Sequence, residues 1–554
     1  MMKKIIGASL GEDVHIQGIY NFLKLAEEKG YNTNFLGPAV NIDRLIDTIK
    51  EQNPDIVALS YRLTPETGDN LIKELDKRIK QEGLTQPEYV FGGTEPVTQV
   101  AKKYNLFSFI SNGNNNKDLM DFLNNEKQSY NQSTHHPQDI VGRIEQKKPY
   151  PVLRTHFGQP TLEDTIKGVE KIADSGVIDV ISLGIDQDAQ ANFFHSERQD
   201  PKRAGAGGVP IRKESDLKKL YAATRSGNFP LMRSYAGTDD LIRMAEMYAN
   251  TINNSWAAIP IFWFNDMDGR GPQELEHSID QHLKAIEWHA FEDIPVEILE
   301  AHHWGMRWAH DSLTVASAYL GAKIAKEIGV DNYIHQYMFN VPSDTSFKND
   351  LAKMLAVKEM ITELEDKHIF DIYHQTRAGL ASFPNNMEAA RGQLASSTLL
   401  QMQLNPDIIH VVNYSEPHHA ATAEDVINSA YITNQVIKNS FGMPDMAKDP
   451  EIVKRKEQIK KEARYLVDFI EKNGNILDPQ YLTSIVKDGI FDAPMLKNNR
   501  YAQGNLEVVE KDGAYFPAKD GRIISEKERL NNIMNKKTKG LNLYANSISN
   551  SSKY

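Results

Sequence analysis

Between residues 150 and 414 the chain repeats one pattern eight times: a short apolar run, a polar break, then a longer segment with helical spacing. The runs fall at 150–156, 178–185, 230–235, 256–264, 295–301, 333–339, 369–375 and 408–414. Short, nearly continuous apolar runs joined by amphipathic helical segments predict parallel strands linked by helical crossovers. Eight of them between residues 150 and 414 have the length and rhythm of a (β/α)8 barrel.

In such a barrel the reactive groups stand at the carboxyl ends of the strands. The polar residues that close these runs are Arg154 and His156, Asp186, Arg233, Asn265 and Asp268, Glu300 with His302 and His303, Tyr337 and Asn340, His374 and Arg377, and Glu416 with His418. Half of such residues are expected to do no more than cap loops and helices. Arg154, Arg233 and Arg377 nevertheless bring three guanidinium groups toward one mouth. A planar guanidinium pairs two-handedly with a carboxylate, and Glu300 can hold an ammonium, so the inventory suits a small carboxylate or amino-acid substrate. His302-His303 and Glu416-Pro417-His418-His419 also raise a metal site, although neighbours on a strand face opposite ways, leaving one inward ligand per pair. The glycine-rich run 204–208 does not directly open a helix and is read as an active-site loop rather than a phosphate cradle.

Ahead of the barrel, an apolar run at 3–8 leads through a loop into a helical pattern at 19–29. That loop carries Asp13-Val14-His15-Ile16-Gln17-Gly18. In an open parallel sheet, ligands sit beyond the carboxyl ends of the strands, which aims His15 at the binding crevice. A neutral imidazole ligates a transition metal through one nitrogen while a carboxylate such as Asp13 holds the other, and Gly18 lets a bulky ligand pass close. Two further runs, 55–59 and 88–91, end in Ser60 and in Gly92-Gly93, with 41 residues between Gly18 and Ser60.

Composition sets outer limits. With 63 basic and 75 acidic residues interspersed, net −12, the chain lacks the electrostatic footprint of a nucleic-acid binder. No apolar run reaches membrane-spanning length and the first residues enter a strand without a signal-peptide pattern, so a cytoplasmic protein is expected. The absence of cysteine excludes disulfides, thiolate zinc and cysteine-held iron–sulfur clusters within this chain.

The trio Asp-x-His-x-x-Gly, Ser60 and Gly92-Gly93 resembles the cobalamin-binding domains of adenosylcobalamin mutases and corrinoid methyltransferases. The resemblance implies a flavodoxin-like (Rossmann-type) domain in which His15 ligates cobalt. Asp13, Gly18, Ser60, Thr64, Gly92 and Gly93 would contact the cofactor, with its nucleotide tail in a slot formed by the serine and glycines. The family's Ser-x-Leu is here Ser60-Tyr61-Arg62, with Leu63 one place later. A cobalamin domain joined to a barrel resembles the glutamate mutase (methylaspartate mutase) family. Arg233-Ser234-Tyr235-Ala236-Gly237-Thr238-Asp239 is similar to its Arg-His-Gly-Thr-Pro-Asp segment, without the proline.

The resemblance implies an adenosylcobalamin-dependent isomerase with Arg154, Arg233, Glu300, His302 and Arg377 as its catalytic set, acting as a homo-oligomer. The alternatives are a corrinoid methyltransferase, whose usual helical cap finds no room before Asp13, and a cobalamin sensor or carrier. The expected division is a cobalamin domain at 1–125, a linker at 126–146, the barrel at 147–445 and an accessory region at 446–554. In the accessory region Asp512-Gly513 and Asp520-Gly521 predict hairpin turns, and the polar stretch from Asn535 reads as disordered.

Overall fold

Alternation along β1 (Lys4–Leu10) sends Ile5 toward the helix Gln17–Glu28, and Ile6, Ala8 and Leu10 toward helices on the other face. This first strand is an interior strand, second from the edge, of a five-stranded parallel sheet. The others are β2 (Asn32–Val40), β3 (Ile56–Tyr61), β4 (Glu88–Gly93) and β5 (Phe109–Ser111), in the order β2-β1-β3-β4-β5. That order is the flavodoxin-like one, with its ligand crevice where the order reverses, between β1 and β3. The structure, a computed structural model, describes residues 3–112, 119, 122–123, 136–235 and 237–536 and divides into two units, Met1–His135 and His136–Tyr554.

In the second unit all eight expected strands are present: β6 (Val152–Phe157), β7 (Val180–Leu183), β8 (Leu231–Arg233), β9 (Ala257–Ile259), β10 (Val296–Ile298), β11 (Asn332–Phe339), β12 (Asp371–Ala378) and β13 (Ile408–Val411). They run parallel in the order β8-β7-β6-β13-β12-β11-β10-β9, and a parallel bridge from Tyr235 to Ala258 joins the two ends into a barrel. Its floor is apolar, formed by Val152, Val180, Leu231, Trp256, Ile334 and Ile408.

Two expectations change here. Residues 126–135 of the expected linker lie outside the described residues, but Ile140–Lys147 is a helix capped by Asp139, whose Oδ1 accepts the Gly142 N–H. Ile140 and Ile144 pack into the barrel floor, so this segment closes the barrel rather than linking domains. Within the described part, Glu145 and Gln146 are the solvent side of an amphipathic helix and Asp139 is its cap, while the Asn- and Gln-rich letters at 126–135 lie outside the described residues.

The region after 446 packs on the barrel. Helix Pro450–Asn473 buries Ile459, Leu466 and Ile470 in the same core as helices Asp311–Ile328 and Phe347–Thr362. Arg455 donates to Asp311 Oδ2 across that contact at 2.6 Å. Strands β14 (Glu507–Lys511), β15 (Ala514–Lys519) and β16 (Arg522–Ile523) form an antiparallel sheet with both expected turns. Asp512, Gly513, Asp520 and Gly521 all have positive φ, as type I′ turns require. Residues 526–536 are helical, so only 537–554 of the tail expected to be disordered lie outside the described residues.

Candidate functional site

The first unit assembles its motif around one buried carboxylate. Asp13 Oδ1 accepts from the His15 backbone N–H at 2.9 Å and lies 2.8 Å from His15 Nδ1, while Oδ2 accepts the Arg62 N–H at 2.6 Å. Asp13 thereby ties the loop after β1 to the loop after β3, across the topological switch point. It also fixes the tautomer: with Nδ1–H donating to the carboxylate, Nε2 carries the lone pair. The imidazole is 53% exposed and its Nε2 has no partner among the described residues. A buried orienting carboxylate and a presented nitrogen make a donor suited to a transition metal.

Beside it, strand register lines up small residues across four strands: Ser9 with Ser60, Ser60 with Gly92, and Gly92 with Ser111. Aligned residues of parallel strands point to one face, here the face covered by helix Gln17–Glu28. Ser60 Oγ is buried without a hydrogen-bond partner among the described residues, and a side chain at Gly18 would meet nothing within 4 Å. The result is a slot with an unanswered hydroxyl and room beside it, which fits a nucleotide tail. Gly93 belongs to the opposite face, where an added Cβ would stand 2.6 Å from the Tyr61 carbonyl, so it serves strand packing rather than the slot. Thr64 caps helix Pro65–Glu82, its Oγ1 accepting the Thr67 N–H.

The barrel is polar where most such barrels are filled with branched aliphatics. One layer above the floor, Arg154 donates to Ser182 Oγ at 2.7 Å and Gln375 Oε1 at 3.0 Å, and its Nη2 lies 2.8 Å from His156 Nε2. Since a guanidinium only donates, Nε2 is the unprotonated nitrogen of His156, and the Tyr235 hydroxyl stands 2.8 Å from the same atom. Burial, then the charges of Arg154, Arg233 and Arg377, hold His156 well below the ordinary histidine range; His410, its ring 4.7 Å away, is held down the same way. Burial and Arg233 lower Arg154 itself to about 9. The three arginines therefore do converge, on a pair of neutral histidines.

Arg233 is the most exposed to chemical consequence and the least exposed to solvent. It is fully buried between the rings of Trp256 and Tyr235, 4.8 and 5.1 Å from its guanidinium carbon. None of its three side-chain nitrogens has a hydrogen-bond partner among the described residues. The nearest carboxylate is Glu297, whose Oε2 is 3.6 Å from Arg233 Nη1 and accepts the Trp256 indole N–H at 2.7 Å, leaving Oε1 unpartnered. Buried donors and acceptors are nearly always matched, so adjacent unmatched ones of both signs outline a site for a polar ligand.

Sequence reasoning grouped Glu300 with the arginines; in the structure the carboxylate beside Arg233 is Glu297. Strand β10 stops at Ile298, and the chain turns into a short helix, Ala301–Gly305. Glu300 faces helix Asp311–Ile328, with Oε1 accepting the Ile261 and Phe262 N–H groups and burial raising its pKa to about 7. Because His302 and His303 lie on a helical turn rather than a strand, both are buried with ring centroids 4.3 Å apart. His302 Nδ1 stands 3.4 Å from Gln336 Nε2, and burial, then Arg377, lowers its pKa well below the ordinary range. Arg377 donates from Nε to the Ala378 carbonyl at 3.1 Å. Glu297 could have been found as the lone carboxylate in the apolar run Pro295-Val296-Glu297-Ile298.

Among the described residues neither histidine run raised as a possible metal site assembles a metal-ligand grouping. His418 and His419 lie in an exposed turn, His419 within 3.1 Å of Asp425, which completes a capping box with Thr422. Among the described residues the grouping with metal-ligand spacing is His195, Asp239 and Asp240, where His195 Nε2 already stands 2.8 Å from Asp240 Oδ2 and Gln273 donates to Asp239. The glycine-rich loop is tied down by the barrel's own carboxylates: Asp186 accepts the Gly205 N–H and a two-handed pair from Arg212.

With this geometry in place, comparison with known proteins assigns the first unit. Residues 3–108 match the B12 binding domain family. A cobalamin-binding protein from Desulfitobacterium hafniense DCB-2 is 26% identical over 23% of this chain, with a TM-score of 0.20, and the match covers 60% of that protein's length. The BexX/CysO complex of Amycolatopsis orientalis is similar at 11% identity over 54% of this chain and 95% of its own, TM-score 0.29. The cobalamin-dependent S-adenosylmethionine radical enzyme OxsB, with aqua-cobalamin and S-adenosylmethionine bound, is 12% identical over 100% of this chain and 81% of its own, TM-score 0.22. The protein thus carries an N-terminal B12 binding domain, followed by an eight-stranded parallel barrel. No helix among the described residues is long and apolar enough to cross a membrane.

Proposed function

We propose that this protein is a cobalamin-dependent isomerase that rearranges a small carboxylate or amino acid inside its barrel. The observation that carries the reading is the pairing of a B12 binding domain with a buried, unbonded guanidinium, Arg233, beside a carboxylate with one free oxygen, Glu297. His15 would hold cobalt through Nε2, with Asp13 orienting the ring, and Ser9, Ser60, Gly92 and Ser111 would line the slot for the nucleotide tail. Adenosylcobalamin, when bound, supplies carbon-radical chemistry through its weak cobalt–carbon bond.

The barrel residues divide the remaining work. Arg233 would take a substrate carboxylate in its free fork, and Glu297 Oε1 would accept from an ammonium or hydroxyl next to it. Arg154 is already bonded to Ser182, Gln375 and His156, so it contributes charge and holds the wall. His156, neutral and fixed through Nε2, positions the Tyr235 hydroxyl at the level where β8 ends. Burial of these groups keeps water from the substrate, which protects reactive species from side reactions.

The deciding experiment loads the full chain with adenosylcobalamin and screens small carboxylates and amino acids by electron paramagnetic resonance for substrate-dependent radical signals. An isomerase gives a coupled radical and cob(II)alamin signal with at least one acid, abolished in Arg233→Met. Transfer of label from methylcobalamin to an acceptor would make it a methyltransferase instead. Stoichiometric cobalamin uptake with neither outcome would leave a carrier.

A further inference from the structure

Arg62 stands where the family that this domain resembles has leucine, and its placement is unusual for a surface arginine. Its backbone N–H is fixed by the buried Asp13 carboxylate that also orients His15, so Arg62 is linked to the proposed cobalt ligand through one shared carboxylate. It follows Ser60 by two residues. Because β3 ends at Tyr61, Arg62 opens the loop at the carboxyl end of that strand, the end at which a parallel sheet presents its ligand crevice, and so stands at the outer end of the slot that Ser60, Gly92 and Ser111 form. The side chain is exposed and makes no ion pair or hydrogen bond among the described residues, although Arg78 and Lys50 in the same unit are paired with carboxylates.

Cobalamin carries one permanently anionic group, the phosphodiester that joins the corrin side chain to the nucleotide. For the tail to enter the slot, that phosphate must pass its outer end. A guanidinium pairs with phosphate through two parallel N–H···O bonds, which leucine cannot do. We infer that Arg62 binds the nucleotide-loop phosphate of the corrinoid and makes this domain select complete corrinoids over those without a nucleotide. This rests on the proposed placement of the cofactor, but it concerns a residue in which this chain departs from its family.

The test is a comparison of two probes on two proteins by spectrophotometric titration of the full chain. Aquacobalamin contains the phosphodiester; cobinamide has the same corrin but neither phosphate nor nucleotide. Arg62→Leu, which restores the family residue at an exposed position, is expected to weaken aquacobalamin binding about tenfold while leaving cobinamide affinity unchanged. The gap between the proteins should narrow as salt rises to about 1 M. Arg62→Lys, a point charge without the fork, should fall between them.

Equal losses for both probes would overturn the inference by placing Arg62 against the corrin, and so would no loss for either. Wild-type protein that takes up neither probe would instead remove the proposed function itself, so the two failures read differently.

Discussion

The two units place their chemistry at the same end of parallel strands but pay attention to solvent in opposite ways. In the first unit apolar clusters cover both sheet faces with only a few buried polar groups such as Asp13 and Ser60, and the His15 imidazole is half exposed on a loop. In the barrel charged and polar groups are part of the core: Arg154, Arg233, Glu297, His156 and His410 are buried between an apolar floor and the mouth. A site on a loop can be changed without touching the fold. A site made of buried charges cannot, because removing one partner strands the other in a low-dielectric interior.

That contrast can be broken most directly at Glu297. Glu297→Leu strands Arg233 and is expected to cost about 3–5 kcal/mol of barrel stability, while the double change Glu297→Leu with Arg233→Met recovers most of it. Urea unfolding followed by tryptophan fluorescence measures both; a double mutant no better than the single would mean that the two side chains act independently.

Glu300 gives the next largest effect, and it depends on pH. Burial raises its pKa from 4.5 to about 7, so the folded state holds a proton that the unfolded chain releases. Its contribution is complete below about pH 4.5 and is lost as pH rises through 7. Between pH 5 and 8 the wild type should lose roughly 2–3 kcal/mol relative to Glu300→Gln, which keeps both backbone hydrogen bonds. Parallel pH–stability curves for the two proteins would show a carboxyl that water reaches.

In the first unit the same kind of change should move binding. Asp13→Asn removes the orienting charge behind His15 and should reduce cobalamin affinity about 10–100-fold. His15→Ala should leave the unfolding midpoint in place and erase nitrogen hyperfine structure from the cob(II)alamin resonance. Persistence of that structure would assign the lower ligand elsewhere.

The smallest effect separates neighbouring glycines. A methyl at Gly92 meets only ordinary contacts, 3.9 Å from the Ser111 carbonyl, so Gly92→Ala should keep stability and weaken cobalamin relative to cobinamide. At Gly93 the methyl would lie 2.6 Å from the Tyr61 carbonyl, and Gly93→Ala should cost on the order of 1 kcal/mol or more in stability. Identical behaviour of the two variants would remove the assignment of the slot to one face of the sheet.

The architecture was legible because periodicity survives translation from letters to structure. Each of the eight apolar runs became a strand, and the Asp-Gly turns formed where only they relieve positive φ. Strand ends were less legible. The apolar run 256–264 contains only a three-residue strand, Ala257–Ile259, because Phe262, Trp263 and Phe264 are buried as a packed loop, and burial alone does not distinguish loop from strand. The same early stop in β10 left Glu297, rather than Glu300, beside Arg233 and put His302 and His303 on a helical turn.

By itself the sequence determined the order and number of strands, the B12 binding domain and the residues able to ligate or pair, since those follow from local spacing and side-chain chemistry. Only tertiary structure decided which carboxylate faces Arg233, which of two glycines opens onto the slot, and that Arg233 is left without a hydrogen-bond partner. Each of these depends on strand parity and on contacts between segments far apart in the chain, such as Arg233 with Glu297 and Asp13 with Arg62. Beyond the residue at which a strand stops, alternation no longer sets which face a side chain takes, and local sequence does not fix that stop.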